Sequence, residues 1–133
     1  MSNEREIKLK AWDKKNNKIV EIDTIEFIDR IEGRPGCNVF ISDKNPKKNY
    51  WLESMEVEML RNTGIKDQTQ TEIYEHHICK TPSGRLGEVC YDEGRAGFIF
   101  RDGLNEMLYK VYPLEIVGNR YQNPELLKQI ETQ

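Results

Sequence analysis

Nothing in these 133 residues approaches the ~20 consecutive apolar positions of a membrane-spanning helix. The opening MSNEREIKLK also lacks the apolar stretch that a signal peptide needs. Cysteine is scarce: Cys37, Cys79 and Cys90 make an odd number without a CxxC spacing, which argues against a disulfide framework and for a cytoplasmic protein with free thiols. Apolar residues are also few, at 37% against the roughly 45–50% of an ordinary domain. The expected core is therefore modest and the surface heavily charged. No GxxxxGK[ST] or GxGxxG loop is present to cradle a phosphate, and no cofactor is implied. A net charge of −3 argues against a protein whose main task is to coat a nucleic-acid backbone.

What the chain does have is strand-like patterning. In EIKLKAWDKKNNKIVEI, residues 6–22, Ile7, Leu9 and Ala11 alternate with Lys8, Lys10 and Trp12, the period of a half-buried strand. Asn16-Asn17 suits a tight turn, so a β-hairpin is predicted. Residues 24–28 extend that strand or start another, and DRIEGRPGCN reads as a loop. CNVFI is a short strand, SDKNPKKN a second loop, and YWLESMEVEML (residues 50–60) fits a strand better than an uncapped helix. Further on, EIYEHHICK, RLGEVCYD and AGFIFRDG are three strand-like runs separated by Gly-containing turns, a spacing expected of a small barrel or sandwich. Asn123 at an N-cap, Pro124 at N1 and Glu125 in the first turn predict a short C-terminal helix with Leu126, Leu127 and Ile130 on one face.

Four segments in this order resemble the YopX family of phage and prophage proteins: IKLKAWDKKNNKIVEI, NTGIKDQTQTEIYE with HHIC, GEVCYDEGRAGFIF, and LEIVGNRYQNPELL. The resemblance leaves residues 28–58 unconstrained. It implies a mainly β fold with a small SH3-like barrel in the C-terminal half, and a setting in bacterial phage genomes. It supplies no catalytic or binding residues. After EIYE the family usually has Gly-Asp-Ile, where this chain has His76, His77 and Ile78. Histidine is among the few residues other than glycine enriched at positive φ. The two histidines are therefore expected to shape the turn into the next strand, with a His77 ring nitrogen replacing an aspartate oxygen.

Sharper readings of the same residues are weaker. On a strand, His77 and Cys79 would share a face and His76 the other, with Cys90 on the next strand. Two histidines and no CxxC or HxxxH spacing fall short of a structural zinc set, however, so no metal is expected. A cysteine nucleophile needs a base within hydrogen-bond reach, and neighbours on one strand are poorly placed for that. No catalytic set is visible.

Residues 1–20 hold six basic and three acidic residues. Lys8, Lys10 and Trp12 on one face, with Lys47 and Lys48 ahead of Tyr50 and Trp51, give a candidate stacking and phosphate-contact surface. Lysines that guard strand edges explain the same pattern.

The expectation is one YopX-like unit over residues 1–133. It comprises a β-hairpin-rich part with a variable insert (1–60), a barrel part (61–121) and a helix (122–133). The expected role is non-enzymatic: self-association, as a homo-oligomer, or binding of a phage or host protein, with no membrane contact. Weak nucleic-acid binding through Lys8, Lys10, Trp12, Lys47 and Lys48 is the alternative.

Overall fold

The structure is a computed structural model and describes residues 9–29, 35–44 and 47–133. It is mainly β, and the chain divides into two compact units, Met1–Arg61 and Asn62–Gln133. None of the described helices is long and apolar enough to cross a membrane.

In the first unit, β1 (Leu9–Asp13) and β2 (Lys18–Asp29) form the predicted hairpin, with Ala11 opposite Val20. Asp13 fixes the turn. Its carboxylate accepts the backbone N–H groups of Lys15 and Asn16 at 2.9 and 3.0 Å, the Asn16 amide at 2.7 Å and the Tyr50 hydroxyl at 2.6 Å. Burial pushes this carboxyl's pKa up, but the hydrogen bonds from Tyr50, Asn16 and Lys15 outweigh that and hold it below the usual range. The AWD segment is thus structural: Ala11 enters the core and Asp13 ties the turn.

β2 pairs with β3 (Pro35–Lys44) and β3 with β4 (Lys47–Glu53). A 3-10 turn at Ser54–Glu56 then leads into β5 (Val57–Lys66), whose first residues pair with β1. Residues 50–60 therefore split into the end of one strand, a turn and the start of another. The strand order is β4-β3-β2-β1-β5, which leaves β4 at an edge. Ala11, Val20, Val39, Ile41, Leu52 and Val57 make this unit's core.

In the second unit, the later part of β5 pairs with β6 (Glu72–Tyr74). A five-stranded antiparallel sheet follows in the order β10-β9-β8-β7-β11. Its strands are β7 (His77–Lys80), β8 (Leu86–Asp92), β9 (Gly97–Arg101), β10 (Glu106–Met107) and β11 (Glu115–Asn119). Ile73, Cys79, Val89, Phe100, Leu108 and Leu114 form its core.

Several expectations need correction here. The stretches read as loops, DRIEGRPGCN and SDKNPKKN, supply residues 35–38 and 42–44 of β3 and residues 47–49 of β4. The sheet is open: among the described residues β10 and β11 are its edges and do not pair with each other, so the implied barrel closure is not made. EIYEHHICK is also not one strand, because the chain turns at His76 between β6 and β7.

Helix α1 (Pro124–Thr132) packs on β8 of its own unit. Leu126, Leu127 and Ile130 are half-buried. Asn123 precedes the helix as expected, but its side chain caps nothing. Its Oδ1 instead accepts the Asn119 N–H at 3.1 Å. That position is open because residue 118 is glycine, where a Cβ would stand 2.5 Å from Asn123 Oδ1.

Candidate functional site

The turn between β6 and β7 carries His76 in the left-handed region, at φ 67°. Three contacts hold it there. The His76 N–H donates to the Val89 carbonyl at 2.7 Å, and the Arg120 N–H donates to the His76 carbonyl at 3.0 Å. His77 Nδ1 accepts the Tyr74 N–H at 3.0 Å, the place an aspartate oxygen would take. The His76 ring meets the edge of Tyr121 at 5.9 Å.

Arg120 is brought in by the turn after β11. Asn119 Oδ1 accepts the N–H groups of Tyr121 and Gln122 at 3.0 and 2.9 Å, and Asn123 N–H returns to the Asn119 carbonyl at 2.9 Å. Together with the Gly118–Asn123 approach, these bonds account for most of the GN-x-Y-x-NP pattern.

At the centre lies Glu88, in the middle of β8 and 0% exposed. Strand register sets Arg101 of β9 directly opposite, and the Arg101 guanidinium donates to Glu88 Oε1. His76 Nδ1 stands 2.9 Å from Glu88 Oε2, and Arg120 Nε is 3.5 Å from the same oxygen. Burial alone would push the Glu88 carboxyl up, but the bonds from His76 and Arg101 and the nearby guanidinium charges hold it down at about 2. His76 moves the other way: hydrogen bonds with Cys90 and then Glu88 push its imidazole up to about 9 against the opposing effect of burial. At neutral pH the cluster is thus a buried carboxylate surrounded by cations, with Cys90 at its rim.

Of the residues singled out from the sequence, His76 and Cys90 are in this cluster. Cys79 sits in the core, where burial pushes its thiol up to about 12, so the pairing of His77 with Cys79 makes no site. Lys8 lies outside the described residues. Lys10 and Trp12 do share the β1 face opposite Ala11 and Asp13, but register places Glu21 beside Lys10 and Glu58 beside Trp12. Lys47 and Lys48 belong to β4, three strands from β1, with side chains outside the described set. Glu88, Arg101 and Arg120 went unread. Counting outward from the EGRA turn would have placed Arg101 across from Glu88.

A family model described as YopX protein matches residues 8–128. The chain belongs to the YopX family. Among solved structures, this YopX chain is similar to protein EF1440 from Enterococcus faecalis, at 19% identity and a TM-score of 0.58, covering 90% of this chain and 96% of that one. It is also similar to protein yopX from Bacillus subtilis, at 18% identity and a TM-score of 0.54, with the same coverage. At these identities the likeness shows the fold. No curated protein matches the chain.

The segments that carry the family resemblance fall largely on fold-determining contacts. Thr63 Oγ1 donates to the Ile73 carbonyl at 2.8 Å, and Gly64 takes φ 80°. Buried Asp67 accepts Thr69 N–H and Thr71 N–H at 2.9 Å each, and Ile116 N–H at 3.3 Å. The YopX signature in this chain is a set of turn locks.

Proposed function

We propose that this YopX protein is a non-enzymatic binding module of phage or prophage origin, working in the bacterial cytoplasm. In this reading it associates with a second copy of itself, or with another phage or host protein, through the β4 edge. The observation that carries the reading is Trp51. It is 51% exposed on edge strand β4, and its ring lies 4.9 Å from that of its cross-strand partner Phe40. Met55, just beyond the strand, is also exposed. An edge strand offers unpaired backbone groups to another chain, and tryptophan is among the residues enriched as interface anchors.

The non-enzymatic part is supported by the charge state of the Glu88 cluster. A general base must be unprotonated and within reach of substrate, and an acid must be ready to give up its proton near neutral pH. A His76 held protonated up to about 9 and a Glu88 held ionised down to about 2 are poised for neither. Nucleic-acid binding has less support, because Glu21 and Glu58 interrupt the Lys10–Trp12 face and would repel phosphate.

Light scattering after size exclusion tests the proposal. The protein is expected to dimerise in the micromolar range, and Trp51→Lys to weaken association at least 10-fold, about 1.4 kcal/mol or more. A monomer at high micromolar concentration would defeat self-association. Tight, salt-resistant oligonucleotide binding lost in Trp12→Ala would instead promote the nucleic-acid reading.

A further inference from the structure

The fold brings together three side chains whose spacing in sequence gives no warning of it. A ring nitrogen of His76, a carboxylate oxygen of Glu88 and Cys90 Sγ all lie within 4.8 Å of one another. We propose that His76, Glu88 and Cys90 bind a thiophilic divalent cation of the zinc class.

The donor set is imidazole nitrogen, carboxylate oxygen and thiolate sulfur, the three kinds that zinc takes from proteins. Glu88 and Cys90 are alternate residues of β8 and so project to the same side of the strand. His76 reaches them from a turn that is itself pinned to β8 through the Val89 carbonyl. The 2.9 Å between His76 Nδ1 and Glu88 Oε2 is close to the ~3.3 Å edge of a tetrahedron built on metal bonds of about 2.0–2.1 Å. The proton now shared between those atoms stands near where the cation would sit. Cys90 is only half-buried, and its sulfur lies within 4.8 Å of both other donor atoms. Three protein ligands leave a fourth position to water.

Arg101 bonds Oε1, the oxygen not shared with His76, and also the Cys90 side chain. It can stay on Oε1 as an outer-shell donor, as ligating carboxylates usually require, while its bond to the sulfur gives way to the cation. Arg120 shares Oε2, but only at 3.5 Å and with its side chain 39% exposed, so it can swing into water. Exchanging the imidazolium proton and the thiol proton for one divalent cation leaves the cluster's net charge unchanged. The guanidinium groups therefore oppose the cation no more than the protons it replaces. Because ligands must lose their protons, affinity rises with pH.

This set is not the one that sequence spacing raised. His77 Nδ1 already accepts the Tyr74 N–H, and Cys79 is enclosed by the core.

The test is titration of the full chain, stripped with a chelator, first with Co²⁺ and then with Zn²⁺. One Co²⁺ per chain is expected, with a sulfur-to-cobalt charge-transfer band that Zn²⁺ abolishes, and binding that tightens from pH 6 to pH 8. Cys90→Ser should remove the band. His76→Gly, which retains a residue suited to positive φ, should weaken Zn²⁺ binding at least 10-fold. Cys79→Ala should leave both properties unchanged. The proposal is overturned if binding is not saturable, if the band survives in Cys90→Ser, or if His76→Gly binds Zn²⁺ as tightly as the wild type.

Discussion

Glu88→Gln is expected to lower the unfolding free energy by about 3 kcal/mol, the low end of what removing one partner from a buried ion pair costs. The side chain changes little in shape, so packing is not the cause. The amide turns an N–H₂ group towards donors that the carboxylate had accepted, and a buried donor without an acceptor is costly. The charge lost was holding His76 and two guanidinium groups. Arg101 and Arg120 are 49% and 39% exposed and regain hydration, so they add little to the cost. His76, at 17%, regains less. Urea unfolding at neutral pH with an unchanged m-value is the measurement, and a loss below about 1 kcal/mol would mean that the cluster contributes no net stability.

The same pair sets a pH window. His76 titrates higher folded than its ordinary 6.5, so its contribution is complete below about 6.5 and is lost as pH rises through about 9. Glu88 titrates lower than its ordinary 4.5, so its contribution is complete above that value and is lost as pH falls towards 2. They are two halves of one interaction, and their energies are not summed. With a chelator present, stability should decline across the alkaline limb in the wild type and be flatter there in His76→Gly.

Gly87→Ala is expected to cost about 3 kcal/mol for a different reason, the upper end of ordinary overpacking. A Cβ at residue 87 would stand 2.5–2.7 Å from three carbons of the Phe100 ring. Phe100 is fully buried among Ile73, Val89 and Leu108, so the ring has little room to retreat. Glycine is required here by close approach rather than by backbone angle. Combining Gly87→Ala with Phe100→Leu should recover about 1 kcal/mol relative to the sum of the single changes, because the two residues are in contact. Additive losses would show that the clash is relieved elsewhere.

How much of this was legible beforehand depended on whether the signal was local. The β1–β2 hairpin could be read because alternation and Asn16-Asn17 sit side by side, and Asn17 does take φ 54°. The helix start at Pro124 was equally local. The turn inside EIYEHHICK leaves no mark on the alternation, which reads as one strand; it was legible only through the Gly-Asp-Ile that the family usually has there, and His76 does take φ 67°. Asn123 does stand at the N-cap, but its side chain turns to Asn119, which lies behind it in sequence rather than ahead. The cluster was hardest, since Glu88, Arg101 and Arg120 are joined by sheet register and a distant turn. A lone glutamate in a strand reads as a solvated edge until its neighbours are known.

Gln133 holds a more modest contact with a use of its own. Its side-chain amide accepts the Leu86 N–H at 2.9 Å and donates to the Leu86 carbonyl, engaging the first residue of β8 much as a neighbouring strand would. The Leu86 amide proton is therefore shielded from solvent deuterium by one exposed side chain at the far end of α1, and its exchange proceeds through local opening rather than global unfolding. That single amide is a built-in gauge of how often the Gln133 side chain lets go of β8.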